Sequence, residues 1–215
     1  MVQRLLSVLS VNQRNALRRF YRAPAAALVG LAVAACAMGC AQRAEPREPM
    51  TPVATPARLT DGEIARVLLT VHEESVAQAK AASPRLSHPD VQLFAQTLRD
   101  EHEKGWEELM LVLDASAIEP EESEMVLELR QASLEIEGLV DDAAPSQVDA
   151  EFIQAESALL SYMVSLLEAR LIDDAEDAGL RANLKVWRNR MRAQLEDAQR
   201  LGVMLSDRSR MAASE

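Results

Sequence analysis

Beyond residue 60, apolar residues recur every three or four positions in five stretches of the chain. The first predicted helix spans about 61–82, with Thr60 or Asp61 as N-cap, Glu63 in the first turn, and a seam of Ile64, Leu68, Val71, Ser75 and Ala82. "SPRLSHP" breaks it. Ser87 opens an S-x-x-D capping pattern with Asp90, which starts a second helix ending near Ser116. Its seam reads Val91, Ala95, Leu98, His102, Gly105, Leu109 and Val112. Pro120, followed by Glu121 and Glu122, predicts a shorter third helix to about Val140. A fourth helix, about 148–174, has a broader stripe of Phe152, Leu159, Met163 and Leu166 flanked by Leu160 and Leu167. The last, about 180–206, carries Leu180, Leu184, Trp187, Met191, Gln194, Ala198, Leu201 and Leu205.

Alternation by four and three marks helices packed lengthwise. The short breaks at 84–87 and 175–179 fold the first and second helices, and the fourth and fifth, into antiparallel hairpins. An all-α fold follows: a ferritin-like up-down four-helix bundle of two hairpins with the shorter third helix as the crossover. A plain five-helix array is the alternative. Aromatic residues at 3% and seven glycines suit helices and argue against a sandwich or barrel.

The first 39 residues contain five arginines and no acid; removing those five from the 23 basic residues leaves 18 against 34 acids, a net charge near −16. So acidic a domain is repelled by nucleic-acid phosphates and by anionic lipid, so no nucleic-acid partner is expected and membrane attachment needs an anchor.

The leader offers one. A basic stretch, Arg14 to Arg22, precedes the apolar run Ala23 to Gly39, the pattern of a secretory signal. The run is about 17 residues, at the short limit for a spanning helix, so a single-pass anchor is the rival reading. "VAACAMGC" resembles a bacterial lipobox, in which a cysteine is lipidated and becomes the new N-terminus. Cys40 follows the fuller apolar run, and Cys36 is the alternative. Alanine rather than aspartate follows either cysteine, which by the same resemblance implies sorting to the outer membrane, facing the periplasm. "LRRFYR" is similar to a twin-arginine signal, although Arg22 stands where that motif has an apolar residue. The predicted organisation is a signal at 1–39, a proline-rich tether at 40–59, a helical domain at 60–206 and a disordered tail at 207–215. No cysteine lies beyond residue 40, so the domain has no disulfide and no thiol nucleophile.

Four polar side chains occupy seam positions: Ser75, His102, Glu156 and Gln194. Buried polar groups are costly unless hydrogen-bonded, so these should be paired. The polar layer either fixes helix register or forms a metal or substrate site. In the second case His102 and Glu156 are the candidate ligands of a divalent metal, with Glu101 or His72 as further ones. His72 reads as a seam-edge residue and His88 as a turn residue. A di-iron centre needs Glu-x-x-His on two helices, but Arg99 stands three before His102 and Met191 three before Gln194. No phosphate loop, His-Glu-x-x-His or nucleophile elbow occurs.

"HPDVQLFAQTLRDEHEKGWEEL" resembles a helix of domain-of-unknown-function family 4142: Val91, Phe94, Ala95, Leu98, Glu101 and His102 follow its V-x-x-F-A-x-x-M-x-x-D/E-H pattern. "DAEFIQAESALLSYMVSLLEA" and "LRANLKVWRNRMRAQLEDAQRL" are similar to its later helices, and the resemblance covers about 59–205. It implies a ferritin-like bundle, often behind a signal or lipobox. Family members usually have a histidine in each of the last two helices and a glutamate in the first; Leu160, Gln194 and Ser75 stand there in this chain. The expectation is a non-catalytic helical module anchored in the envelope, with no cofactor and an unidentified protein partner. The alternatives are a metal-binding or oxidase-like protein using His102 and Glu156, and a periplasmic adaptor or chaperone-like protein.

Overall fold

The computed structural model describes residues 58–212. The leader, both candidate lipidation cysteines and nearly all of the tether lie outside the described residues. The described chain is all-helical, with five helices: α1 (Asp61–Ala82), α2 (Pro89–Ser116), α3 (Glu124–Asp141), α4 and α5 (Ala178–Ala212). α4 starts as Val148–Leu166, widens into a π-helical segment, Leu167–Leu171, and ends in Ile172–Asp174. Leu167 and Leu171, at the two ends of this segment, have no exposed surface.

The helices form two layers. One is α1 and α2; the other is α3, α4 and α5, with α4 packed against both neighbours. Across the layers α1 packs on α3 and α2 on α5. The seam residues Leu68, Leu98, Leu109, Met163, Leu180, Leu184 and Met191 meet between them in one continuous apolar core.

Side chains at the helix ends fix the order of the elements. Thr60 and Glu63 form a capping box at the start of α1. The neighbouring Asp61 carboxylate accepts the backbone N–H groups of Glu176 and Asp177, both at 2.8 Å, tying α1 to the α4–α5 turn. Asp177 in turn accepts the N–H of Leu180 at 2.7 Å. At the other end Asp149 of α4 accepts two hydrogen bonds from Ser87 and one from the N–H of His88.

Three boundaries differ from the sequence reading. His88, not Ser87, caps α2, because its Nδ1 accepts the N–H of Asp90 while Ser87 is engaged with Asp149. α3 begins at Glu124 rather than Pro120. The preceding leg is held extended across the start of α1, where Glu121 donates its N–H to the Gly62 carbonyl at 2.9 Å. A Cβ at Gly62 would fall 2.6 Å from the Glu119 carbonyl oxygen, so this crossing needs glycine. α5 continues past Ser206 to Ala212, taking in most of the segment expected to be a disordered tail.

Candidate functional site

The polar seam residues separate into two groups. The first is a hydrogen-bonded chain through three helices. His72 of α1 and His102 of α2 are wholly buried, with their Nδ1 atoms 3.1 Å apart. His102 Nε2 lies 3.4 Å from Gln194 Oε1 of α5, and the Gln194 amide donates to Glu101 Oε2 at 2.7 Å, at the surface.

The order of donors fixes both tautomers. A carboxylate only accepts, so Gln194 turns its NH2 to Glu101 and its oxygen to His102. His102 therefore carries its proton on Nε2 and donates to Oε1. Its Nδ1 is left as an acceptor, so His72 donates from Nδ1. His72 Nε2 is then a bare lone pair, buried with no partner.

Trp187 of α5 closes this layer. Its ring centroid is 4.3 Å from that of His72 and 5.1 Å from that of His102. The indole fits because residue 105 is glycine: a Cβ there would lie 1.9 Å from Trp187 Cζ2. On the outer side the Arg190 guanidinium stacks 4.9 Å from the indole centroid and is held by Glu108 at 2.7 Å. Burial holds His102 down at about 4, against the opposing pull of its hydrogen bond to Gln194. Burial, then the proximity of His102 and Arg190, holds His72 well below the usual imidazole range. Both rings are neutral at pH 7.

The second group stands apart. Glu156 of α4 is buried, and neither carboxyl oxygen has a hydrogen-bond partner. Burial pushes it up to about 8, so it is mainly a neutral acid at pH 7. Ser75 is also buried and lies outside the His–His–Gln chain. Between α1 and α3, Gln78 donates to Ser133 at 2.7 Å.

Of the four seam residues singled out by spacing, the structure thus brings together His102 and Gln194 and leaves Ser75 and Glu156 elsewhere. Among the described residues no three His, Cys, Asp or Glu side chains are gathered to hold a metal ion. His72 is central rather than at the seam edge. The available signal was its position four residues after Leu68 and three before Ser75, which places it on the same stripe. A shallow surface depression lined by Glu196, Gln199, Arg200 and Val203 includes none of these groups. The arrangement offers one hidden imidazole lone pair and one neutral acid, each closed in by packing. Such a layer sets the relative height of α1, α2 and α5, since sliding any of them by one turn breaks the chain of bonds.

A family model described as a domain of unknown function (DUF4142) matches residues 47–201. No curated protein and no solved structure matches the chain.

Proposed function

The chain belongs to the DUF4142 family, and from that premise we propose that it is a lipid-anchored envelope protein presenting a non-catalytic helical bundle to the periplasm, with a structural or binding role. In this reading the two hairpins make a ferritin-like frame, with α3 as its crossover. The observation that carries it is the Trp187 indole packed against His72 and His102, whose Nδ1 atoms bind each other rather than facing a cleft. The lipobox-like "VAACAMGC" and the prolines at 46, 49, 52 and 56 support the anchor and tether. Globomycin, or Cys40→Ala with Cys36→Ala, is expected to block processing and lipid labelling. An unchanged, soluble product overturns the anchor.

One observation favours a second reading. The two Nδ1 atoms at 3.1 Å and the orphaned Glu156 are ligand types a divalent metal accepts, which suits a metal-binding or oxidase-like protein. Elemental analysis of untagged protein separates the two readings. Stoichiometric iron, manganese or zinc that disappears in His102→Ala replaces the first with the second.

A further inference from the structure

Between Phe152 and Leu167 the only charged residue is Glu156, and it is buried. Four turns of an outer-layer helix therefore show solvent no charge, in a chain of which 27% is charged. Opposite its buried stripe α4 presents Ala158, Ser161, Ser165 and Ala169, spaced by three and four, with Tyr162 beside them packed partly on the core. A helix face without charge leaves no ion to desolvate when another surface covers it.

The two helices flanking α4 differ in charge. Residues 178–212 carry eight basic and three acidic side chains, whereas 58–177 carry eight basic and 28 acidic ones. α5 is thus a basic helix on an acidic body. Lys185, Arg188 and Arg192 form a stripe on its α4 side, a flank marked by the ion pair of Arg192 with Glu168 of α4. Lys185 has no ion-pair partner among the described residues. On α3 the exposed Glu124 and Glu128 lie one turn apart on the side away from Ser133, which bonds α1. α3 and α5 both start beside the N-terminus of α1, where Gly62 and Asp61 bind the segments leading into them. The acidic and basic stripes therefore sit toward the same end.

We propose that the outer face of α4 is the interface of a two-fold homodimer, with the basic stripe of α5 in each subunit on the acidic stripe of α3 in the other. A two-fold axis running along α4 meets all three observations. It lays the uncharged face on its own copy, and it exchanges the flanks so that base meets acid on both sides. An axis across α4 would instead set acid on acid and base on base. The favoured axis keeps both copies pointing the same way, with Arg58 of each at the same end. The acidic surface that fits the stripe is this chain's own. The dimer does not depend on lipid anchoring, so failure of cysteine processing leaves it untouched.

Sedimentation velocity on the full-length chain tests the proposal. A dimer is expected at low salt, with the dissociation constant rising about tenfold or more in high salt as the flanks are screened. Lys185→Glu with Arg188→Glu, and separately Glu124→Lys with Glu128→Lys, should each give monomers. Mixed, the two should form a dimer containing one of each. Ala158→Arg should also give a monomer, with the helical circular dichroism of the parent showing that it folds. A wild-type chain that is monomeric at every salt and concentration overturns the dimer, as does a mixture that stays monomeric. Growth beyond the dimer overturns the two-fold. A monomer that binds phosphatidylglycerol vesicles through Lys185 and Arg188 gives the face to lipid instead.

Discussion

The indole of Trp187 lies directly on the backbone of α2 at Gly105, close enough that an added Cβ would be 1.9 Å from Cζ2. Neither residue is replaceable without the other. Gly105→Ala should cost about 3 kcal/mol, because the ring must leave its place against the two histidines. Trp187→Phe should cost a similar amount through the cavity it leaves. The double variant should lose clearly less than the sum, since the smaller ring makes room for the methyl group. Urea denaturation of the four proteins gives the coupling; simple additivity would show that the contact is slack.

The buried imidazoles make the fold sensitive to acid. His102 is held down at about 4 and His72 lies well below its usual value, so the unfolded chain binds protons that the folded one refuses. Their contribution is complete above about 6.5 and declines as the pH falls from there toward about 4. For His102 alone the loss is on the order of 3 kcal/mol. Asp174, Asp177 and Glu108 also favour the charged form in the fold, so their contributions fade only below the ordinary carboxylate range. Between pH 4.5 and 6.5 the slope is thus the rise from the two histidines less the opposing fall from Glu156. In thermal melts His72→Phe with His102→Leu should remove the rising part and leave stability falling with pH through Glu156, whereas an unaltered slope would place its origin elsewhere.

Glu156 has the opposite sign. Its carboxyl is pushed up to about 8, so folding takes up a proton between about 4.5 and 8, and stability falls as the pH rises through that window. Glu156→Leu removes the penalty. Its advantage over the parent should be small at pH 5 and grow by pH 9 to several kcal/mol, on the order of 5. A variant less stable at pH 9 would mean that the carboxylate is held by a partner.

α2 ends on Ala117 at φ 50°, the only non-glycine residue with positive φ among those described. The left-handed conformation costs an alanine about 1 kcal/mol relative to glycine. Ala117→Gly should therefore raise stability by about that amount without altering the circular dichroism. A loss would show that the methyl group packs usefully on its surroundings.

Much of this fold can be read in the chain. The seams of α2 and α5 are buried where the alternation puts them, including His102 and Gln194, which do meet; only toward the ends do they drift, with Val112, Leu201 and Leu205 half-buried and Leu113 buried in place of Val112. α1 was harder, for a physical reason. Ile64, Ala65, Val67, Leu68, Leu69, Thr70, Val71 and His72 are all buried, because α1 packs on both α2 and α3. A helix covered nearly all round loses the periodicity that distinguishes its faces, so Val71 masked His72. Pro120 carries a helix-start signal, but its segment is held extended by the contact of Glu121 with Gly62. Glu156 lies on the predicted apolar stripe, but whether a buried carboxyl meets a partner depends on depths along tilted helices, which spacing within one helix does not encode.

Glu101 never touches His72, yet it decides where His72 keeps its proton. With the carboxylate in place the Gln194 amide has one orientation, and every donor in the chain points outward toward the surface. With an amide at position 101, Gln194 can turn over. His102 then accepts at Nε2 and donates from Nδ1, and the His72 proton moves to Nε2. A change of one surface atom reverses the polarity of the whole line, and the nitrogen resonances of a ring two links away would record it.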